Sequence, residues 1–236
     1  MSGGWGILVL MLHEKKIRLS PSQLNLFQEC PRCFWLHQNQ KIQRPRGIFP
    51  SLPGGMDSII KVYFDRYRER GKLPPELDGK VAGELFPDTE VMNQWRNWRT
   101  GLNYRDKETG AILIGALDDC LVQERKYIPL DYKTRGYDPK EGGESFYQNQ
   151  LNCYEFLLQA NDFDTAGYAY LVYYVPKEVS ENGLVRFEIT PKKVMTDPEA
   201  ALLVFQNAVA TLNGSLPEKN SNCEYCAWGH NIDFEE

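Results

Sequence analysis

Gly115-Ala116-Leu117-Asp118, then Ile128-Pro129-Leu130-Asp131-Tyr132-Lys133-Thr134, then a helical stretch bearing Gln150 and Tyr154, is the run on which fold and chemistry both turn. Side chains alternate along a strand, so Asp131 and Lys133 share one face and Tyr132 takes the other. Ala111-Ile112-Leu113-Ile114 and Tyr127-Ile128-Pro129-Leu130 read as interior strands, and a carboxylate continuing such a strand is costly unless paired or metal-bound. If the two acidic strands pair as a hairpin about Gln123-Glu124-Arg125-Lys126, Asp118 joins Asp131 and Lys133 on one surface.

Those residue types suit a metal-dependent phosphodiesterase. A hard divalent cation, Mg2+ or Mn2+, prefers oxygen ligands and keeps several waters, so Asp118, Asp131 and the carbonyl of Tyr132 suffice to hold it. Such an ion acidifies a bound water and polarises a phosphate, while Lys133 orients the nucleophile or stabilises charge developing on phosphorus. Blander readings exist. Asp118 and Asp119 could be turn acids at a sheet edge, and residues 133–136 a solvated start to a loop. Gln150 and Tyr154 lie four apart on one face of an expected helix over residues 145–160, and could be one surface and one core residue. D-x-K alone says nothing; the ordered set carries the argument.

That set resembles the motifs of the PD-(D/E)xK nuclease superfamily, most closely its RecB-type exonuclease branch: Gly115-x-x-Asp118, Asp131-x-Lys133 and Gln150-x-x-x-Tyr154. Leu19-Ser20-Pro21-Ser22-Gln23-Leu24 through Cys30-Pro31-Arg32-Cys33-Phe34 is similar to the opening of RecB-type and AddB-type domains, and the resemblance runs on to Cys223-Glu224-Tyr225-Cys226. It implies an α/β fold with a mixed central β-sheet flanked by helices, restriction-endonuclease-like, with a helical amino-terminal part. It also implies a magnesium-dependent deoxyribonuclease, an exonuclease or end-processing enzyme of repair, recombination or defence. Its partners would be DNA, single-stranded or with free ends, and a helicase or repair protein. By the same resemblance Gln150 and Tyr154 contact nucleic acid and position Lys133. One departure stands out: the family usually has a histidine metal ligand upstream of the acidic strands, and none of His13, His37 and His230 fits that place. Asp57, in Gly54-Gly55-Met56-Asp57-Ser58-Ile59-Ile60-Lys61, stands where a ligand could, or is a first-turn acid satisfying a helix amino terminus. A noncatalytic nucleic-acid-binding module that keeps the nuclease fold is the competing reading.

Of six cysteines, Cys120 and Cys153 lie in apolar runs and read as inert thiols. The others form two C-x-x-C pairs, Cys30/Cys33 and Cys223/Cys226. With no secretion signal the chain reads as cytoplasmic, where such pairs bind metal more often than they form disulfides. Four thiolates suit tetrahedral zinc or a [4Fe-4S] cluster, and spacing alone does not choose. The resemblance implies the iron–sulfur cluster, with structural Zn2+ as the alternative. In that subset one cysteine precedes the core and three follow it; here Ile232 stands where a trailing cysteine is expected, and Cys33 would supply the ligand. Residues 18–40 and 215–236 would then staple the ends of a single domain, 1–236. A thiol redox protein is a third class, though no thioredoxin-like pattern surrounds either pair.

The 236 residues show no repeats or low-complexity segments, which fits one soluble unit. A net charge of −5 argues against a general nucleic-acid coating protein, since phosphate neutralisation drives nonspecific affinity. Basic stretches persist at residues 41–46, 61–72 and 96–105; Trp95 and Trp98, beside the last, could stack on unpaired bases or anchor a helix in the core. Residues 5–12 are apolar but far shorter than the roughly 20 needed to span a membrane, and are not a good signal peptide, so Met11 could be the true start. Ser20-Pro21 starts a helix running toward Cys30, and a second follows Cys33. Residues 45–55 read as a connector, 58–70 as a helix, and 167–175 and 184–189 as strands joined through Asn182-Gly183; 198–212 is the last helix expected.

Overall fold

Prolines and polar caps mark the helix starts in the chain, whose computed structural model describes residues 16–45, 47 and 51–228. After the short strand β1 (Arg18–Leu19), Ser20 caps α1 (Pro21–Glu29), and its N–H donates to the Gln23 side chain at 2.8 Å. Cys30 ends α1 and caps α2 (Pro31–Trp35), which continues into a π-helical turn over Leu36–Gln40. The chain continues as α3 (Ser51–Arg68), β2 (Glu84–Leu85), α4 (Thr89–Trp95), β3 (Leu102–Arg105), β4 (Ile112–Gly115), β5 (Asp119–Gln123) and β6 (Lys126–Thr134). A 3-10 turn over Gly143–Tyr147 leads into α5 (Gln148–Gln159), then β7 (Tyr168–Val179), β8 (Val185–Met195), α6 (Pro198–Asn213) and α7 (Glu224–Trp228).

The fold is α/β, with mixed sheets flanked by helices. Five strands pair in the order β2-β5-β6-β7-β8, and three more form a separate sheet, β1-β4-β3. The expected hairpin is present: β5 and β6 are antiparallel with Gln123 opposite Lys126. Its two-residue turn places Glu124 and Arg125 at φ 49° and 67°, the left-handed conformation a type I′ hairpin needs to match strand twist. β6 then pairs in parallel with β7, whose first eight residues are buried, as a central strand covered on both faces should be.

Several sequence expectations need correction. Gly115-Ala116-Leu117-Asp118 is not one strand: β4 ends at Gly115, and Asp118 sits in the bend where the chain crosses from one sheet to the other. The helix expected from residue 58 starts at Ser51, so Gly54 and Gly55 lie inside it and Asp57 is beyond its first turn, too far in to satisfy the free amino-terminal amides. The helix over 198–212 is not the last, because Glu224–Trp228 forms a further turn that carries Cys226. Residues 5–12, the alternative start at Met11, His13, His230 and Ile232 lie outside the described residues.

The apolar core has two parts, one on each side of the larger sheet. α5, α6 and the amino-terminal helices cover one side through Leu151, Leu157, Phe205, Leu24 and Phe34; α3 covers the other through Ile60 and Phe64, against Leu130 and Tyr132. Cys120 and Cys153 are fully buried, and burial raises both thiols, that of Cys153 to about 12, so they are unreactive packing residues. Among the described residues no helix is long and apolar enough to cross a membrane.

Candidate active site and cysteine cluster

Asp131 is fully buried on β6, and Oδ1 accepts a hydrogen bond from Gln150 Nε2 at 3.0 Å. The Lys133 ammonium, two residues along the same face, forms an ion pair with Asp131 and donates to Gln150 Oε1 at 3.3 Å. Gln150 Nε2 also reaches the Tyr154 hydroxyl at 2.5 Å, one helical turn further along α5. One glutamine thus bridges carboxylate, ammonium and phenol. Lys133 Nζ stands 4.6 Å from the ring centroid of Tyr147, which gives the cation an aromatic wall.

Asp118 comes to this cluster from the bend before β5. Its Oδ2 accepts from the N–H of Tyr132 at 3.2 Å. On an extended strand the N–H and C=O of one residue point to the same side. The Tyr132 carbonyl therefore faces the Asp118 side, beyond Leu130, where the β5–β6 pairing ends. Gly115 explains why a glycine opens the motif: a β-carbon there would lie 2.5 Å from Leu157 Cδ1 and 3.5 Å from Tyr154 Cδ1. Its absence lets α5 seat against the end of β4, bringing Gln150 and Tyr154 to the carboxylates.

The electrostatics are strained in a specific way. Burial, reinforced by the neighbouring Asp118 carboxylate, raises the Asp131 carboxyl to about 7 against the opposing pull of Lys133. Asp131 Oδ2 is held by the Lys133 ammonium as an ion pair. Two adjoining carboxylates and a nearby backbone carbonyl form an oxygen set suited to a hard divalent ion.

Lys61, Asp65, Arg68 and Arg96 at this centre had no role in the sequence reading, and Asp119 is a buried ion-pair partner rather than a turn acid. Lys61 on α3 reaches Asp57 Oδ2 at 2.7 Å and Asp118 Oδ1 at 2.9 Å. Burial pulls its ammonium down, but Asp118 and Asp57 outweigh it and hold it above the ordinary lysine value. Asp57 therefore meets Asp118 through Lys61. Behind them, Arg68 clasps the fully buried Asp119 with two bonds of 2.6 and 2.7 Å, and Arg96 adds a third at 2.8 Å. Both arginines also bind Asp65, and the Tyr132 hydroxyl donates to Asp119 at 2.7 Å. The only sequence hints were short helical spacings, Asp57 to Lys61 and Asp65 to Arg68. Two of the basic stretches thus spend arginines inside the protein. Of the two tryptophans, Trp95 is buried in the core and Trp98 is 69% exposed.

A family model for the PD-(D/E)XK nuclease superfamily matches residues 61–230, well over half the chain. The chain belongs to the PD-(D/E)XK nuclease superfamily. The match takes in Asp118, Asp131, Lys133, Gln150, Tyr154, Cys223 and Cys226, and begins at Lys61. No curated protein matches the sequence significantly. The solved structure called "Crystal structure of SSO0001" aligns over 94% of this chain and 89% of its own, at 15% identity and a TM-score of 0.46.

A second centre lies at the edge of this nuclease-superfamily fold. Cys30, Cys33, Cys223 and Cys226 are all buried, with ligand atoms within 4.8 Å of one another. Among the described residues they are the one place where three or more cysteine, histidine or carboxylate ligand atoms converge so closely. Cys30 Sγ is 3.5 Å from Cys226 Sγ, and Cys33 Sγ is 3.7 Å from Cys223 Sγ. Tetrahedral zinc with bonds of about 2.3 Å sets its sulfurs about 3.8 Å apart; in a cubane each thiolate binds a different iron, which spreads them further. Burial raises the Cys30 and Cys33 thiols, Cys33 to about 12. At Cys223 burial is outweighed by hydrogen bonding, first from the Cys226 backbone, which brings it to about 7. Hydrogen bonds from Arg32 to Pro217 O at 2.8 Å and from Trp35 to Gly214 O at 3.1 Å tie the two ends of the nuclease fold together.

Proposed function

We propose that this chain is a divalent-metal-dependent deoxyribonuclease of the RecB/AddB type, acting on single-stranded DNA or free ends in repair, recombination or defence, alongside a helicase or repair protein. The observation that carries this reading is the convergence of Asp118 and Asp131 beside Lys133 and Gln150 in one buried cluster. Asp118, Asp131 and the Tyr132 carbonyl would hold Mg2+ or Mn2+, which when bound supplies an acidified water and polarises the phosphate. Gln150 holds Lys133 beside Asp131, so the ammonium is pre-positioned to orient the nucleophile or to offset charge developing on phosphorus. Tyr154 steadies Gln150 from the buried side. Asp57 enters the metal's surroundings only when Lys61 moves, so we assign it the secondary role of receiving that ammonium.

In this reading the chain is one nuclease domain, 1–236, stapled by residues 18–40 and 215–236. The four cysteines would hold a [4Fe-4S] cluster, as the family resemblance implies, with structural Zn2+ as the alternative. D131N and K133A should abolish cleavage in added magnesium while circular dichroism remains parental. Parental cleavage rates in both variants would defeat the assignment. A noncatalytic DNA-binding module is the second reading, favoured by the Lys61 ammonium seated on Asp118. DNA binding without magnesium- or manganese-dependent cleavage of single-stranded, duplex and flapped substrates would select it.

A further inference from the structure

A cleft of about 620 Å³ opens beside the carboxylate centre, lined among others by Arg18, Ser22, Trp98, Ala116, Gln150 and Tyr154. Gln150 and Tyr154 belong to both places, so the cleft is continuous with the site where phosphodiester chemistry is proposed. Its size falls within the range of about 300–1,000 Å³ usual for ligand pockets. Trp98 stands at its wall with 69% of its surface exposed, while its sequence neighbour Trp95 is packed in the core. The Arg99 guanidinium lies 4.7 Å from the Trp98 ring centroid, and the Arg99 carbonyl accepts from Arg18 Nη2 at 2.6 Å. One guanidinium, that of Arg99, therefore lies on the exposed indole, and a second, that of Arg18, lines the same cleft beside the acidic centre, in a chain whose net charge is −5.

We propose that this cleft is a subsite for single-stranded DNA, in which an unpaired base stacks on Trp98 and the adjoining phosphates lie against Arg18 and Arg99. The inference rests on the nuclease reading above and deepens it. An indole offers a face to any base, and arginine beside it adds cation–π and phosphate attraction; a base inside a duplex has both faces covered by its neighbours. Arg99 stacks on the ring and steadies the indole without removing it from solvent. Trp98 is in this account a positioning residue: the stacked base sets which phosphate arrives at Asp118 and Asp131. Strand preference then comes from the cleft wall rather than from the metal centre.

The test is binding of a fluorescein-labelled single-stranded oligonucleotide, in the D131N background with magnesium, alongside steady-state cleavage by the parent chain and its Trp98 variants. W98A should weaken binding about 5- to 150-fold, the equivalent of roughly 1–3 kcal/mol per stacked base. It should raise KM far more than it lowers kcat, and W98F should recover most of the affinity. Tryptophan emission should be quenched by the single strand in the D131N protein, with the quench lost in W98F. Binding of a blunt duplex of the same sequence should not depend on residue 98. Single-strand affinity of a folded W98A variant within twofold of its D131N parent would overturn the subsite while leaving the nuclease reading intact. A parent chain that neither binds nor cuts any DNA would overturn both.

Discussion

Arg96 holds the backbone of Asp118: its Nε donates to the Asp118 carbonyl at 2.8 Å, while the same guanidinium binds the Asp65 and Asp119 carboxylates. The chain bend that presents one carboxylate to the candidate metal site is thereby anchored to a buried ionic network through the next residue. Asp119 is fully buried and Arg68 nearly so, and such a network is stable only while every charge keeps its partners.

Arg96→Met should therefore destabilise the fold by about 3–5 kcal/mol, the usual cost of leaving a buried charge uncompensated. For a chain of this size that is a fall in Tm of roughly 6–20 °C, read by thermal denaturation. Adding Asp119→Asn should recover part of the loss. A melting curve for Arg96→Met within 2 °C or so of the parent, less than about 1 kcal/mol, would show that the network contributes little.

Gln150→Ala should lower kcat by about 10- to 100-fold with a smaller change in KM, because it removes the group holding Lys133 and Asp131 together rather than a ligand. Tyr154→Phe should cost less, since Gln150 keeps its bonds to Asp131 and Lys133. Steady-state cleavage at saturating magnesium checks both; equal losses for the two variants would contradict the order of roles.

Asp131 predicts an unusual pH dependence of stability. Its carboxyl lies near 7 in the folded chain, against 3.8 as a free side chain, so the folded state binds the proton more tightly. The stabilisation is complete below pH 3.8 and fades as pH rises through 7, where a buried charge must be carried. Without added divalent ions, Tm should fall between about pH 5 and 8, and Asp131→Asn should flatten that slope. Magnesium should restore the parental Tm at pH 8 and leave Asp131→Asn unmoved. An identical slope in the parent and the variant would locate the titration elsewhere.

The cysteine centre should contain a [4Fe-4S] cluster, giving a brown protein by absorbance, with iron and acid-labile sulfide by elemental analysis. Cys226→Ser should lose the metal and several kcal/mol of stability, since the cluster links segments almost two hundred residues apart. A colourless anaerobic preparation holding one zinc ion per chain would reverse the metal assignment.

Much of this was legible in local sequence. The β5–β6 hairpin, the one-face placement of Asp131 and Lys133, the α5 pair Gln150 and Tyr154, and the capped start of α1 each depend on contacts within a few residues, where strand and helix periodicity act directly. The two C-x-x-C pairs were visible for the same reason. Tertiary packing alone decided the rest. It converted the stretch before Asp118 into a crossing between sheets, drew Lys61 onto Asp118, and closed Arg68 on Asp119 across 51 positions. It also buried Trp95 while leaving Trp98 in a cleft, and brought the four sulfurs within 4.8 Å of one another. Periodicity tells which way a side chain leaves its own strand or helix; only the docking of one element on another tells what it meets there.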